Sequence, residues 1–567
     1  MTQIAAEAVR GWPESRPRVT EILDELIAGA TAVDGLTGEK GLSGYSVIGP
    51  TGVAQILSLV SLLEDDFLDD VVARHPRLHD MFRFHYDTLC LDRYYPMVGD
   101  CGAFAWPHGR YAGSTFAGSP GLTPSTYALF RRLLSITGDE MFARTMLDGA
   151  GGDANRIPPD WFDASALTEH DDLANTAAHV APRTSVNKQE WGLAILRSGA
   201  GSQRRALWMH YQAGARHGHA DGMNLGLFAY GLDLLPELGY PPVQYGGWGS
   251  ERAKWYTLTA AHNTVVVDGA NQRAASGATV LWADGSVIRG IRASCPALVG
   301  GDRYDRTSLM VDVDGSSSYV LDVFRVTGGQ EHTYLLNSQF GRLATHGLDL
   351  QPTEDMDPAW QMRDYRVDTA PSVGWHATWH VTDRHGLRDD GGDVRLRYTG
   401  LTRDAEALTA DGWVAVGGST WGVEEEWIPR LLVRRAGADL RSAFVGVIEP
   451  YEGSPQVVSA RRLDIVPRNG RGPSDLDVAV EVVLADGRRD IIVAVDDEAR
   501  PWEPGGECPA VAVPEAGIEL NARLGFVRLR RDGSVQHAAA WQGKSLSVSD
   551  LVLQVPERAT SAEVGGL

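Results

Sequence analysis

Residues 206–230 read ALWMHYQAGARHGHADGMNLGLFAY. Two apolar runs, Ala206 to Tyr211 and Met223 to Tyr230, flank the polar interval Arg216-His217-Gly218-His219-Ala220-Asp221-Gly222. Each run has the length and the aromatic and aliphatic content of a buried strand, so the stretch reads as two strands joined by a loop that gathers ionisable groups. Histidines separated by one residue share a face of an extended chain, unless Gly218 bends it and sends them apart.

Outward from this loop the two directions differ. From about Glu190 onward the sequence is a series of short alternating runs rich in Val, Leu, Tyr and Trp. The pairs Asp268-Gly269, Asp284-Gly285, Asp314-Gly315, Asp411-Gly412, Asp486-Gly487 and Asp532-Gly533 punctuate it. Asp-Gly suits a type I′ hairpin, whose two central residues both need positive φ, so these pairs predict antiparallel meanders and a β-sandwich. Upstream, from about Arg18 to Met146, apolar residues recur at helical spacing, as in Val53, Ile56, Leu57, Val60 and Leu63, and in Tyr127, Phe130, Leu133 and Leu134. The expected organisation is therefore a helical domain over 1–150, a polar connecting segment over 151–188 around Pro158-Pro159, a central antiparallel sandwich over 189–400 and a C-terminal β-sheet region over 401–567. The acidic run Leu63 to Asp70 encloses Phe67 and Leu68, which predicts a solvated helix end and not a metal cluster.

Lys and Arg number 52 against 74 Asp and Glu, a net charge of -22 over 567 residues. That balance speaks against a nucleic-acid or anionic-membrane partner, and an anionic substrate would need a locally positive site. No apolar run reaches the roughly 18 residues of a membrane span; Asp233 interrupts even Leu225 to Leu235. Cys90, Cys101, Cys295 and Cys508 are too scattered for a disulfide framework. The opening MTQIAAEAVRGWPESRPR lacks a basic segment followed by an apolar core, which makes the cytoplasm the default expectation.

Two further groups extend the chemistry. Glu237 lies in Leu235-Pro236-Glu237-Leu238-Gly239-Tyr240, and His262 in Ala261-His262-Asn263-Thr264-Val265-Val266-Val267-Asp268-Gly269. Two histidines and a carboxylate on neighbouring strands can hold a zinc ion with one position left over; the alternative is that they are hydrogen-bonded structural residues.

HGHADGMNLGLFAYG, then LGYP, then AHNTVVVDG together resemble the core of the heparinase II/III-like polysaccharide lyases, a group that includes alginate lyases. Asp34-Gly35-Leu36-Thr37-Gly38-Glu39-Lys40-Gly41-Leu42-Ser43-Gly44-Tyr45 is similar to that family's Asp-Gly…Glu…Tyr segment. The resemblance implies an incomplete (α/α) toroid followed by a large antiparallel β-sandwich, and β-elimination on a uronate-containing glycan. It implies Tyr45 as acid/base, His217 facing the substrate, Tyr245 as a second active-site tyrosine in competition with Tyr240 and Tyr256, and a structural zinc on His219, Glu237 and His262. Two departures stand out. Glu237 occupies a place where the family leads one to expect Asp, moving the ligand oxygen by about 1.5 Å. Only 44 residues precede Tyr45 and no Asn-His dipeptide occurs, so the toroid is expected to be truncated at its start. Arg216 or Arg252 would then neutralise the substrate carboxylate in a cleft between the halves, or another chain, such as a second copy in a homo-oligomer, would complete the site.

β-Elimination explains these residue types. The C5 proton must be removed, charge on the C6 carboxylate stabilised and the leaving O4 protonated. A phenol, ordinarily near pKa ~10, acts as base only beside positive charge, and can return its proton to O4. The rival reading is a non-catalytic carbohydrate-binding or scaffolding protein; a glycan hydrolase would need paired acids, and none stands out. Tyr94-Tyr95-Pro96-Met97, with Trp106 and His108, reads either as a sugar-stacking loop or as interhelical packing, and His332 as a structural histidine.

Overall fold

The computed structural model describes residues 11–566 except 65, 109, 116–120, 160–169, 418–423, 471 and 498–501. The chain divides into two compact units. One comprises residues 1–102, 107–191 and 215–218; the other comprises 103–106, 192–214 and 219–567.

The first unit is helical. Its helices are α1 (Trp12–Ala30), α2 (Ile48–Val60), α3 (Phe67–Arg74), α4 (Arg77–Thr88), α5 (Pro124–Thr137), α6 (Met141–Gly149) and α7 (His170–His179). α1 packs on α2, α2 on α5, α5 on α6 and α6 on α7. Helix α5 shows why such segments form. Thr123 caps it by accepting from the Thr126 amide, Pro124 opens it, and Gly138 at φ 66° ends it. Its apolar stripe buries Tyr127, Phe130 and Leu133, and Phe82, Phe130 and Phe142 meet ring to ring. The acidic run does lead into a helix, α3, with Phe67 and Leu68 buried and Asp69 and Asp70 in its first turn; Asp65 lies outside the described residues, as does most of the opening segment. The segment expected only to connect contains α7, whose Ala177 is buried.

The second unit is built of antiparallel sheets. Leu193–Ser198, Arg205–His210, Asn224–Ala229 and Leu232–Asp233 follow one another in one of them. Among the described residues an eight-stranded, a six-stranded and a nine-stranded sheet follow. Alternation along Ser318–Thr327 shows the layering. Val320 and Phe324 enter a core shared with the six-stranded sheet, while Tyr319, Leu321 and Val323 enter one shared with the nine-stranded sheet. The sandwich expectation stands in this layered form.

Four Asp-Gly pairs, at 284, 314, 486 and 532, do join consecutive antiparallel strands, but the type I′ conformation expected of them needs correction. Only Asp268-Gly269 has both residues at positive φ, 51° and 67°. Asp411-Gly412 lies inside the strand Glu406–Ala415, where a Cβ on Gly412 would stand 2.5 Å from Arg430 Cδ. That glycine serves close packing against a buried arginine and not a turn.

Candidate active site and metal centre

Tyr45 opens a 3-10 turn, Tyr45–Val47, that leads directly into α2. The loop before it is fixed by its own backbone: the Gly44 and Ser46 amides donate to the Gly41 carbonyl. From α4, buried His85 bonds the Leu42 carbonyl at 2.8 Å. Burial pushes the His85 imidazole down to about 4, against the opposing pull of that carbonyl, so it donates as a neutral ring.

His217 stacks on Tyr45, with ring centroids 3.6 Å apart and planes within 4°. Its Nδ1 stands 2.7 Å from Glu39 Oε1. A carboxylate only accepts, so Nδ1 carries the proton and Nε2 holds the lone pair. Arg216 is largely exposed and places Nε 3.4 Å from the same Glu39 oxygen. The Lys40 amide donates to the Arg216 carbonyl, and the Asp100 amide to the His217 carbonyl. His217 itself, and not Gly218, takes the left-handed turn, at φ 56°. A non-glycine residue there costs roughly 1 kcal/mol or more, and persists because the bonds around it over-determine the turn. Gly99 sits against it so closely that a Cβ would be 2.2 Å from the His217 carbonyl oxygen. Tyr45, Glu39, Arg216 and His217 all belong to the helical unit.

His219, Glu237 and His262 converge within the β unit, their candidate ligand atoms all within 4.8 Å of one another and their residues buried. His262 Nδ1 donates to the Leu258 carbonyl at 2.8 Å, which leaves the Nε2 lone pair facing Glu237 Oε1 at 2.9 Å. His219 Nδ1 is 3.5 Å from that oxygen, while the Gly239 amide takes the other carboxylate oxygen, Oε2. Burial would raise the Glu237 carboxyl, but the two imidazoles hold it below its ordinary value. His219 Nδ1, Glu237 Oε1 and His262 Nε2 are all buried without a hydrogen bond of good geometry. Two ring nitrogens and a carboxylate oxygen, buried and within 4.8 Å of one another, fit a divalent cation such as zinc. The longer Glu237 side chain still reaches the cluster.

The neighbouring residues explain how His262 is placed. The Asn263 amide donates to Asn224, its side-chain nitrogen to the Leu225 carbonyl, and its oxygen accepts from the Asn337 amide. Thr264 donates to the Gly222 carbonyl. Beside the cluster His210 Nδ1 meets Asp221 Oδ2 at 3.2 Å. Burial alone would raise the Asp221 carboxyl, yet His210 and the more distant His262 and His219 bring it down to about 2.

The other expected site residues have the following surroundings. The Tyr245 hydroxyl donates to the Glu424 carbonyl at 3.1 Å, and its ring meets Trp413 edge-on. Tyr256 is buried with its hydroxyl on the Ala415 amide, and the Tyr240 ring leans on Trp248. Arg252 lies in the β unit with its guanidinium 4.3 Å from the Trp413 ring centre and 5.4 Å from that of Trp427. Tyr94 and Tyr95 are buried, as packing requires, while Trp106 is exposed. His332 bonds Ser442 and the Gly328 carbonyl, as a structural histidine should. Glu39 and the His210–Asp221 pair were not singled out from sequence. Glu39 is 178 positions from its partner, and its only sequence signal is its place in the segment that ends at Tyr45.

Residues 180–421 match the sequence model of a family described as heparinase II/III-like, C-terminal. Among solved structures the chain is similar to the heparan sulfate lyase HepC from Pedobacter heparinus, with 14% identity and a TM-score of 0.53 over 86% of this chain and 64% of that one. It is also similar to a heparinase III, with 15% identity and a TM-score of 0.51 over 82% of this chain and 61% of that one. This chain thus spans less than two thirds of the length of either, and at these identities the likeness is one of fold. No curated protein matches the sequence. The helical region followed by antiparallel sheets is the arrangement shared with those structures, and within it residues 180–421 are the part that matches the heparinase II/III-like C-terminal family model.

Proposed function

We propose that the chain is a polysaccharide lyase that cleaves a uronate-containing glycan by β-elimination, with Tyr45 as acid/base. The observation that carries this reading is the Tyr45–His217 stack with Glu39 on His217 Nδ1. Two proton-handling rings lie in parallel planes, and the tautomer of one is set by a carboxylate.

In this reading Tyr45, as phenolate, takes the C5 proton. The C–H electron pair forms the C4–C5 double bond as the bond from C4 to O4 breaks, and the proton passes from Tyr45 to the departing O4. His217 turns Nε2 towards the sugar, as base for one C5 epimer or as partner of the C6 carboxylate, and Glu39 holds that ring in orientation as the aspartate of a catalytic triad holds its histidine. Arg216, beside the same glutamate, supplies positive charge for the substrate. His219, Glu237 and His262 would hold a zinc ion, whose contribution is to tie three chain segments of the β unit together. The helices are read as part of an (α/α) toroid, and the substrate as an acidic polysaccharide, the class to which heparan sulfate belongs.

The test is incubation of the purified chain with alginate, heparan sulfate, hyaluronan and other uronates while following the ultraviolet absorbance of the new double bond. A rise with at least one of them is expected. Binding to these glycans without any rise would replace the lyase with a non-catalytic carbohydrate-binding protein.

A further inference from the structure

The eight-stranded sheet ends in three strands, Gly341–His346, His376–Val381 and Val394–Gly400. Register places Arg342 opposite His380 and His380 opposite Arg395; it places His346 opposite His376, and Thr378 opposite Arg397. Alternation puts all of these on one side of the sheet. The other side carries Ala377, Trp379, Leu396 and Tyr398 into the core. The charged side is continuous with Val445 and Val447, which the nine-stranded sheet covers. On the edge strands that cover stops: His346 and Arg342 are exposed, and His376, His380 and Arg395 half-buried.

We infer that this face is a second binding surface, for an anionic polysaccharide, and that its histidines gate it by protonation. Arg342, Arg395 and Arg397 are offset by Asp393, which pairs with Arg395, and by Glu449, 2.5 Å from Arg397. The fixed groups therefore sum to about one positive charge, and three protonated imidazoles raise this to about four, on a chain whose net charge is -22. The imidazoles are crowded with cations. His346 and His376 stack with centroids 4.8 Å apart. Arg342 donates to His380 Nδ1 at 3.2 Å, so protonating that nitrogen would break the bond and set two cations side by side. Burial first, then Arg397 and His346, push His376 down; burial first, then Arg342 and Arg395, push His380 down, with Asp393 opposing. A bound row of carboxylates or sulfates would relieve this repulsion, so binding takes up protons and strengthens as pH falls. The choice of a polysaccharide as the polyanion rests on the lyase reading; the charge argument does not.

The experiment uses the full chain carrying Tyr45→Phe, so that turnover does not consume the probe, and measures binding to immobilised heparin and alginate at about pH 7.5 and 5.5. Affinity should rise about tenfold or more at the lower pH and fall with salt, with no binding to uncharged dextran. The combined His346→Gln, His376→Gln, His380→Gln variant should lose that rise to within about twofold, and Arg342→Gln should weaken binding at both pH values. Because these side chains lie outside the core, folding is checked by an unchanged unfolding midpoint, with the single exposed His346→Gln as a second variant expected to lose part of the rise. A triple variant that keeps the full pH dependence, a single variant that loses none of it, or equal binding to dextran would overturn the inference. Binding of this kind combined with a wild-type chain that never yields a double bond on any uronate would overturn the lyase reading instead.

Discussion

His217 and His219 stand two residues apart and are held in opposite ways. His217 keeps 23% of its side chain exposed and strains its backbone into the left-handed region. One nitrogen is committed to Glu39, which leaves the other for chemistry. His219 has no exposed side-chain surface and turns Nδ1 towards a buried glutamate and a second imidazole. One arrangement keeps a ring in contact with solvent; the other removes its ring from it. The difference teaches that a His-x-His motif need not be a pair, because a single left-handed residue between the two directions of the chain is enough to assign them separate work.

The largest expected effect is on the first side of that comparison. Tyr45→Phe keeps the ring and its stack but removes the transferable proton, so turnover on a competent uronate should fall by about 10²–10⁴ while folding is retained. Tyr245→Phe, which loses only a bond to a backbone carbonyl, should keep the rate and cost about 1 kcal/mol or less. Equal losses in the two variants would erase the distinction drawn here. On the second side, His262→Ala should release the metal and destabilise the chain by about 3 kcal/mol or more, because Glu237 is left buried among unmatched groups. Elemental analysis beside denaturant unfolding decides this, and full metal retention with an unchanged midpoint would refute it.

A smaller effect concerns pH. His85 is neutral in the fold and its value there is about 4, against roughly 6.5 in an unfolded chain. The unfolded state therefore binds the proton first. The stability is whole above about pH 6.5 and is lost as pH falls towards 4, by up to about 3 kcal/mol. Urea titrations of the wild type and His85→Gln across that window should give a shallower slope for the variant; identical slopes would assign the acid loss to other groups. Least in size, Glu39→Gln should lower turnover by about 10- to 100-fold with little change in KM, since an amide can bond His217 without fixing which ring nitrogen is protonated. Partial recovery in Glu39→Asp, with an unfolding midpoint like that of the wild type, is what a positioning role requires. A Glu39→Gln variant that turns over at the wild-type rate would reduce Glu39 to packing.

The order of elements was legible because periodicity is a local signal, whereas histidines and a carboxylate beside apolar strands only suggested a metal, and the choice of His219, Glu237 and His262 came from the family resemblance. The trio's scaffold was less visible, although Asn263 and Thr264 follow His262 directly, since their partners lie some 38 to 74 positions away. Four Asp-Gly pairs, at 284, 314, 486 and 532, join antiparallel strands as expected, although without two left-handed residues. At Asp411-Gly412 packing against Arg430 decided the glycine, and no local pattern reports a distant arginine. Glu39 was hidden for the same reason: a carboxylate acquires its role from the imidazole that the fold delivers to it.

Gly99 has a consequence for anyone reading this protein through mutational scanning. It offers no functional group, yet any side chain there would collide with the His217 carbonyl and its own backbone favours glycine. Substitutions at Gly99 would score as inactivating across all nineteen alternatives, with no preference for charge or size. A map of tolerance would therefore mark it as strongly as the residues that handle protons. Only the flatness of its profile, set against the selective one expected at Tyr45 or Glu39, would reveal that the position is occupied by a shape and not by a reagent.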